Sequence, residues 1–534
     1  MHLRPSFGTV APALMTRTTA VAIAIAIAGL GAAGCKKQQQ KQPTRVGRSD
    51  VAVTQADPRL PAPHKLSADV DAGVFVAAPA QLLATAGTYM PAPPTLAKLG
   101  EFVLGTQGPA DFAQSAGAAL DGQRPWVGVM IAREDVVHLP LQRGAASKLQ
   151  SLLARYPKRG DFGAVVLPRP ALALKGGELL TNTAASPERL AYVDAAAGTL
   201  TIASTLEGIA TGRQLPGYYG KRPLWFTVGE TRGKELLGRF PYGRVAGGGQ
   251  GLHNLDIACA ARPGEKLPTL RDLAPGALTG ALASKGMAIG ASTRWTGYKE
   301  AVREAVDQMQ EAVDRAGFAG KMMLDPIANQ ATRLMKMWNG RVLIGLGPAR
   351  HLRLGLGAED PLAAHRLLVT VLKDVIDNLQ LARMFVSNIP NATLKKFGDD
   401  PDMWLLTVSG IANNLPPDLR TITDDGRLRV AFLGHVHSGA LLVVIGPKAD
   451  AELKTWAGEA NAATSGKDGM KDIATASLAA GPQALAPLLQ IGPSEKLLPA
   501  LLNLSADRAP TTVILRQDGQ SYEITVRGPE AKGR

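Results

Sequence analysis

From Val74 onward the chain is built of short apolar runs separated by amphipathic stretches. Val74-Phe75-Val76-Ala77 predicts a buried strand, and Pro79 ahead of Gln81-Leu82-Leu83-Ala84 predicts a helix with proline in its first turn, where the missing N–H is not needed. Trp126 to Ile131 and Val136 to Leu139 read as paired strands that lead into a helix over Ala145 to Leu153 with one apolar face. Leu190 to Val193 and Thr199 to Ile202 form a second strand pair about a corner at Ala197-Gly198, and Leu224 to Val228 follows as a further strand.

The same order returns in the second half. Arg341 to Leu346 and His351 to Leu356 predict a hairpin about Pro348-Ala349; Asp360 is placed to cap a helix that has Pro361 at its first position. Leu367, Leu368, Val371, Leu372, Val375, Ile376 and Leu379 share one face of that helix. Leu428 to Leu433 and Leu441 to Ile445 then match the earlier pair at Leu190 and Thr199. The expected fold class is α+β, two related domains of antiparallel strands with packed amphipathic helices, arising from an internal duplication. A first domain over 67–241 and a second over 276–534 are separated by a Gly/Pro-containing linker at 242–275, because four glycines within Gly247 to Gly251 are hard to hold in a regular element. The second domain includes a helical block at 298–338. Val302, Val306, Met309 and Val313 recur on one face, as do Ile327, Ala331, Leu334 and Trp338 after Asp325-Pro326, and both stripes read as core-facing. Met322, Met323, Met335 and Met337 offer the alternative of an adaptable wall for a lipid or peptide.

The N-terminus has a different texture. Thr18 to Gly34 is uncharged, contains the apolar run Ala20 to Ala28, follows Arg17 and ends in small residues, which is the layout of an export signal. The run is too short to cross roughly 30 Å of hydrocarbon. Met15-Thr16-Arg17 would itself make a compact basic start, so Met1 and Met15 compete as the first residue. Ala32-Ala33-Gly34-Cys35 resembles the lipobox of bacterial lipoproteins, with Ala32 where the commonest form has Leu and with Leu30 two residues further back. The resemblance implies removal of residues 1–34 as a signal peptide, a diacylglycerol thioether on Cys35, and acyl chains of the palmitate type that hold the protein on a bilayer at roughly 0.8 kcal/mol per buried CH₂. An ordinary signal peptide cleaved near Ala33, with Cys35 incidental, is the competing reading. Lys36 stands where Asp would resemble an inner-membrane retention signal, which implies the outer membrane, on its periplasmic or surface face. Residues 35–66 lack a hydrophobic period and read as a basic tether; Lys36, Lys37 and Lys41, with Arg45 and Arg48, either lie against anionic headgroups at roughly 1 kcal/mol each or serve as a solvated spacer.

Composition narrows the chemistry. The net charge is +14, and loss of residues 1–34 removes only Arg4 and Arg17, so an exported basic protein remains that suits anionic envelope components. Aromatic residues are 5% of the chain, too few for the stacking platforms that nucleic acids favour, so nucleic acid is not an expected partner. Two cysteines exclude a disulfide framework and a four-thiolate metal site. His435 and His437 lie two apart in an expected strand, a spacing that would put both imidazoles on one water-facing side; they are the metal-ligand candidates, and no third ligand is spaced nearby. Asp424-Asp425-Gly426 reads as a hairpin turn. Cys259 sits in a small apolar segment and reads as a packed thiol, His253 being the one close base. The chain has no Gly-x-Ser-x-Gly elbow, Ser-x-x-Lys pair or His-Glu-x-x-His helix. Expected, then, is a lipid-anchored envelope protein without a cofactor that binds or scaffolds other envelope components. A hydrophobic-ligand carrier and an envelope hydrolase with dispersed residues are the alternatives.

Overall fold

In the computed structural model the described residues run from 70 to 528, apart from short intervening segments of which 182–187, 266–272, 411–419, 463–470 and 482–503 are the longer ones. The signal segment, Cys35, Lys36, Lys37 and Lys41 lie outside them. The chain divides into unit 1, Met1–Pro268 with Gly519–Glu523, and unit 2, Thr269–Asp518 with Ile524–Arg534. Both combine helices with antiparallel strands, which is the α+β class.

Unit 1 contains β1 (Ala72–Val76), α1 (Pro79–Ala86), α2 (Leu96–Gly105), α3 (Ala110–Gly117), β2 (Trp126–Ile131), β3 (Glu134–Pro140), α4 (Ala145–Leu153), β4 (Lys158–Arg159), β5 (Ala164–Leu167), β6 (Leu172–Lys175), β7 (Glu178–Thr181), β8 (Arg189–Asp194) and β9 (Thr199–Ala203). It continues with α5 (Leu206–Gly212), α6 (Leu215–Tyr219), β10 (Leu224–Gly229), α7 (Glu230–Leu237), β11 (Arg244–Gly251) and β12 (Asn254–Ala260). Antiparallel pairing gives the order β12-β11-β10-β1-β2-β3-β9-β8-β5-β4, with β6 and β7 as a separate hairpin. Every residue of β8 and β9 is buried, because helices cover both faces of the sheet. Ala191 and Val193 join Leu104, Phe112 and Leu149 of α2, α3 and α4 in one cluster, whereas their neighbours Leu190 and Tyr192 join Ile209 of α5 and Leu215 of α6 in another. The alternation of successive side chains across a strand separates the two cores.

The linker expected at 242–275 is corrected here: its first part is β11 and β12, and the unit boundary falls at Pro268/Thr269. Gly247, Gly248 and Gly249 of β11 stand opposite Phe226, Trp225 and Leu224 of β10. A Cβ at Gly247 would lie 2.5 Å from Phe226 Cζ, so the glycine leaves room for a ring instead of breaking the strand.

Unit 2 contains β13 (Leu273–Ala274), α8 (Thr279–Leu282), β14 (Ile289–Trp295), α9 (Tyr298–Arg315), α10 (Gly317–Lys336), β15 (Trp338–Leu346), β16 (Leu352–Ala358) and α11 (Pro361–Arg383). It goes on through β17 (Asn391–Lys396), β18 (Trp404–Ser409), β19 (Arg427–His435), β20 (Ala440–Ile445), α12 (Ala449–Ala462), β21 (Lys471–Leu478) and β22 (Thr511–Gln517), while β23 (Ser521–Arg527) is divided, its residues to Glu523 belonging to unit 1 and those from Ile524 to unit 2. The antiparallel order is β17-β18-β19-β20-β16-β15-β14-β21-β22, and β13 pairs with the end of β14. Asp360 caps α11 as expected, its Oδ1 accepting from the Ala363 N–H at 2.9 Å. One face of the sheet carries Leu343, Leu433, Leu442 and Val444 against Leu453 and Trp456 of α12 and Leu282 of α8. On the other face Phe432 meets His365 of α11, ring centroids 5.7 Å apart. Short or charged strands sit at the ends of the pairing orders: β4 is the exposed Lys158-Arg159, and β17 ends in Lys395-Lys396. Charge at such positions discourages edge-to-edge association.

Candidate functional site

His435 and His437 do not share the water-facing side expected of them. β19 ends at His435 and the next residues turn into β20, so the alternation of the strand no longer applies at His437. His435 is buried and its Nδ1 lies 2.8 Å from Ser438 Oγ, whereas His437 is exposed. Their rings are 6.4 Å apart. Among the described residues no three His, Cys, Asp or Glu side chains come together as a metal site. The preceding turn is as expected: Asp424 and Arg427 exchange two backbone hydrogen bonds of 2.8 Å, and Asp425 and Gly426 take positive φ of 51° and 70°, the geometry of a tight hairpin corner.

Cys259 is buried in β12, as expected for a packed thiol. Its sulfur is hydrogen-bonded to the Tyr242 hydroxyl. Burial first, and then the neighbouring Cys259, push that phenol up to about 12. His253 lies outside the described residues.

The helical block is present as α9 and α10, joined by α11, whose Asp374 Oδ2 accepts from Gln330 Nε2 of α10 at 3.0 Å. Its inward stripes are only partly covered: Val313 is buried, while Val302, Val306, Met309, Ile327, Leu334 and Trp338 are half-buried. Outside the stripes, Phe318 is 84% exposed and Met322, one turn further along α10, is 67% exposed. Leu381 and Met384, the latter 71% exposed, stand at the end of α11. Ile344 of β15 and Leu356 of β16 are also exposed. Ile344 adjoins Leu343, which belongs to the α12 core, so alternation places Ile344 on the opposite face. Together with Leu324 and Val436, these are the exposed large hydrophobics among the described residues, and all are in unit 2. Side chains of this kind gain roughly 1.5–3 kcal/mol each when covered.

Met322 stands out in the sequence, whereas Phe318, Ile344, Leu356, Leu381 and Met384 do not, because an apolar residue carries no local mark of exposure. Met335 and Met337 are half-buried, and the side chain of Met323 lies outside the described ones. No helix among the described residues is long and apolar enough to cross a membrane. Comparison of the chain with protein-family models, curated proteins and solved structures finds no match.

Proposed function

We propose that this is a bacterial envelope lipoprotein, held through Cys35 on the outer membrane, whose unit 2 binds or scaffolds other envelope components without catalysis. The observation that carries the binding role is the set of exposed apolar residues Phe318 and Met322 of α10, Leu381 of α11 and Met384 in the turn just after it. The anchor rests on the lipobox-like Ala32-Ala33-Gly34-Cys35, and Lys36, Lys37 and Lys41 would then lie next to the headgroups. Labelling cells with a clickable fatty acid and separating the two membranes tests it. Wild type is expected to carry label in the outer membrane and Cys35→Ser to carry none. An unlabelled, soluble periplasmic wild type would remove the anchor from the reading.

We read the two units as copies of one plan. The order β10-β1-β2-β3-β9-β8 in unit 1 is answered by β21-β14-β15-β16-β20-β19 in unit 2. A helix follows β3 as α11 follows β16, and α5 follows β9 as α12 follows β20. Separate arrival at such an order is less economical than duplication.

The exposure of Ile344 and Leu356 on the sheet face opposite the α12 core favours one second reading, a carrier of a lipid or other hydrophobic ligand. Lipid mass spectrometry on protein purified without detergent is expected, on that reading, to find bound lipid, with at least fivefold less in Ile344→Thr/Leu356→Thr. Since both side chains are exposed, the double variant should keep its unfolding midpoint within a few degrees, on the order of a 0.5 kcal/mol surface effect. An empty wild-type protein counts against the carrier.

A further inference from the structure

Unit 1 concentrates positive charge along one helix and the sheet edge beside it. The 27 residues from Arg143 to Arg169 hold six basic side chains and one acidic one, a net +5 out of the +14 carried by the whole chain. α4 buries Ala146, Leu149 and Leu153 in the core. Its outer side presents Lys148, with Arg143 in the turn before the helix and Arg155 just after it, all exposed. Two helical turns separate Lys148 from Arg155, which keeps both on that outer side. Lys158 and Arg159 follow as β4, exposed at the end of the strand order. The chain then returns antiparallel through β5, with Val165 opposite Lys158 and the Val166 N–H donating to Pro157 O at 2.8 Å, which brings the exposed Arg169 back towards the end of α4. Arg155 pairs with Asp111 of α3 and lies over the Tyr156 ring, 4.9 Å from its centroid. The other five cations form no ion pair or side-chain hydrogen bond with a described residue, and Asp161 is the one carboxylate within the segment. Exposed cations on other helices, such as Lys98, Lys234, Arg315 and Lys321, each have a carboxylate of their own. Protection of the edge accounts for Lys158 and Arg159 but not for Arg143, Lys148 and Arg169.

We propose that this basic strip lays unit 1 on an anionic phospholipid bilayer. Charges spread along a helix side and a strand edge meet many separate anions better than one small ligand, and their long side chains reach a plane of phosphates while the backbone stays clear of it. The strip is unsuited to nucleic acid, which favours aromatic platforms between the cations. Of its two rings, Phe162 is buried and Tyr156 is half-buried beneath Arg155. The inference rests on the reading of a membrane-held envelope protein for the source of the bilayer, while the contact itself needs no acyl chain. Loss of the anchor and loss of the strip are therefore told apart by removing each in turn.

The test uses the full chain carrying Cys35→Ser, mixed with vesicles of equal parts phosphatidylglycerol and phosphatidylcholine, or of phosphatidylcholine alone. Partition onto the anionic vesicles is expected to exceed that onto the neutral ones and to fall by about 100-fold in Lys148→Gln/Lys158→Gln/Arg159→Gln, about fivefold per charge. Arg303→Gln/Arg333→Gln/Lys336→Gln removes the same charge from exposed positions of α9 and α10 and should cost less than about threefold, because salt screens charges outside the contact. Circular dichroism checks each fold. Acetylation of Lys148 and Lys158, followed by mass spectrometry, needs no further variant and should be slower on the anionic vesicles than on the neutral ones. Equal partition onto both vesicles, equal losses in the two triple variants, or unprotected Lys148 and Lys158 overturns the proposal. Binding of soluble polyphosphate without binding of vesicles also overturns it, since the partner would then be a dissolved polyanion.

Discussion

Replacing Glu452 by Leu is expected to destabilise unit 2 by about 3–5 kcal/mol, the cost of leaving one charge of a buried pair without its partner. Arg353 of β16 is 1% exposed, and its Nε donates to Glu452 Oε1 of α12 at 2.8 Å, with Nη2 donating to the same oxygen. The guanidinium lies over the Trp456 ring, 5.4 Å from its centroid, and Trp456 Nε1 donates to Ala281 O at 2.8 Å. Sheet, α12 and α8 are thereby tied through one charged group. Arg353→Met added to Glu452→Leu should recover most of the loss, because two apolar side chains bury without an orphaned charge. Urea unfolding of the single and double variants measures this. A double variant no more stable than the single one would show that the pair's geometry, and not its charge balance, is what matters.

Acid should destabilise unit 1 through His138. This residue of β3 is buried opposite Thr201 of β9, its Nδ1 2.9 Å from Thr201 Oγ1. Burial chiefly, then Arg124 and Arg213 against the opposing pull of Asp194, lower its pKa from 6.5 to about 4. The folded protein therefore keeps a neutral imidazole that the unfolded chain protonates. The associated stability is complete above pH 6.5 and is lost as the pH falls towards about 4, a total of roughly 3 kcal/mol. Between pH 7 and 4.5, His138→Asn should lose about 2–3 kcal/mol less than wild type. Equal losses in the two proteins would assign the acid sensitivity to other groups.

Local chemistry was the part of this fold that could be read directly. Asp360 with Pro361, Asp424 to Gly426, and the hairpin corner at Gly198 each announce themselves within a few residues, because a cap or turn is decided by its own backbone. What depended on distant partners was hidden. The glycines of β11 become a strand only because Trp225 and Phe226 lie across from them. Arg353 gives no sign of burial, since Glu452 is supplied by another helix. His437 was misplaced by carrying the alternation of β19 past the residue where the strand stops, and His435 because it shares the face of Leu433, which the α12 core covers. The exposed Phe318 and Met384 resemble core residues in composition, and only packing separates the two. Register has the same character: it alone sets Arg294 of β14 opposite Arg341 of β15.

The buried thiol of β12 has a practical corollary. The chain has two cysteines, so the Cys35→Ser protein presents Cys259 as its single nucleophilic sulfur, shielded while unit 1 stays closed. The rate at which a maleimide captures it therefore times the opening of that unit, without any probe being introduced. Followed across urea concentrations, the capture rate separates fraying of one strand from release of the whole domain.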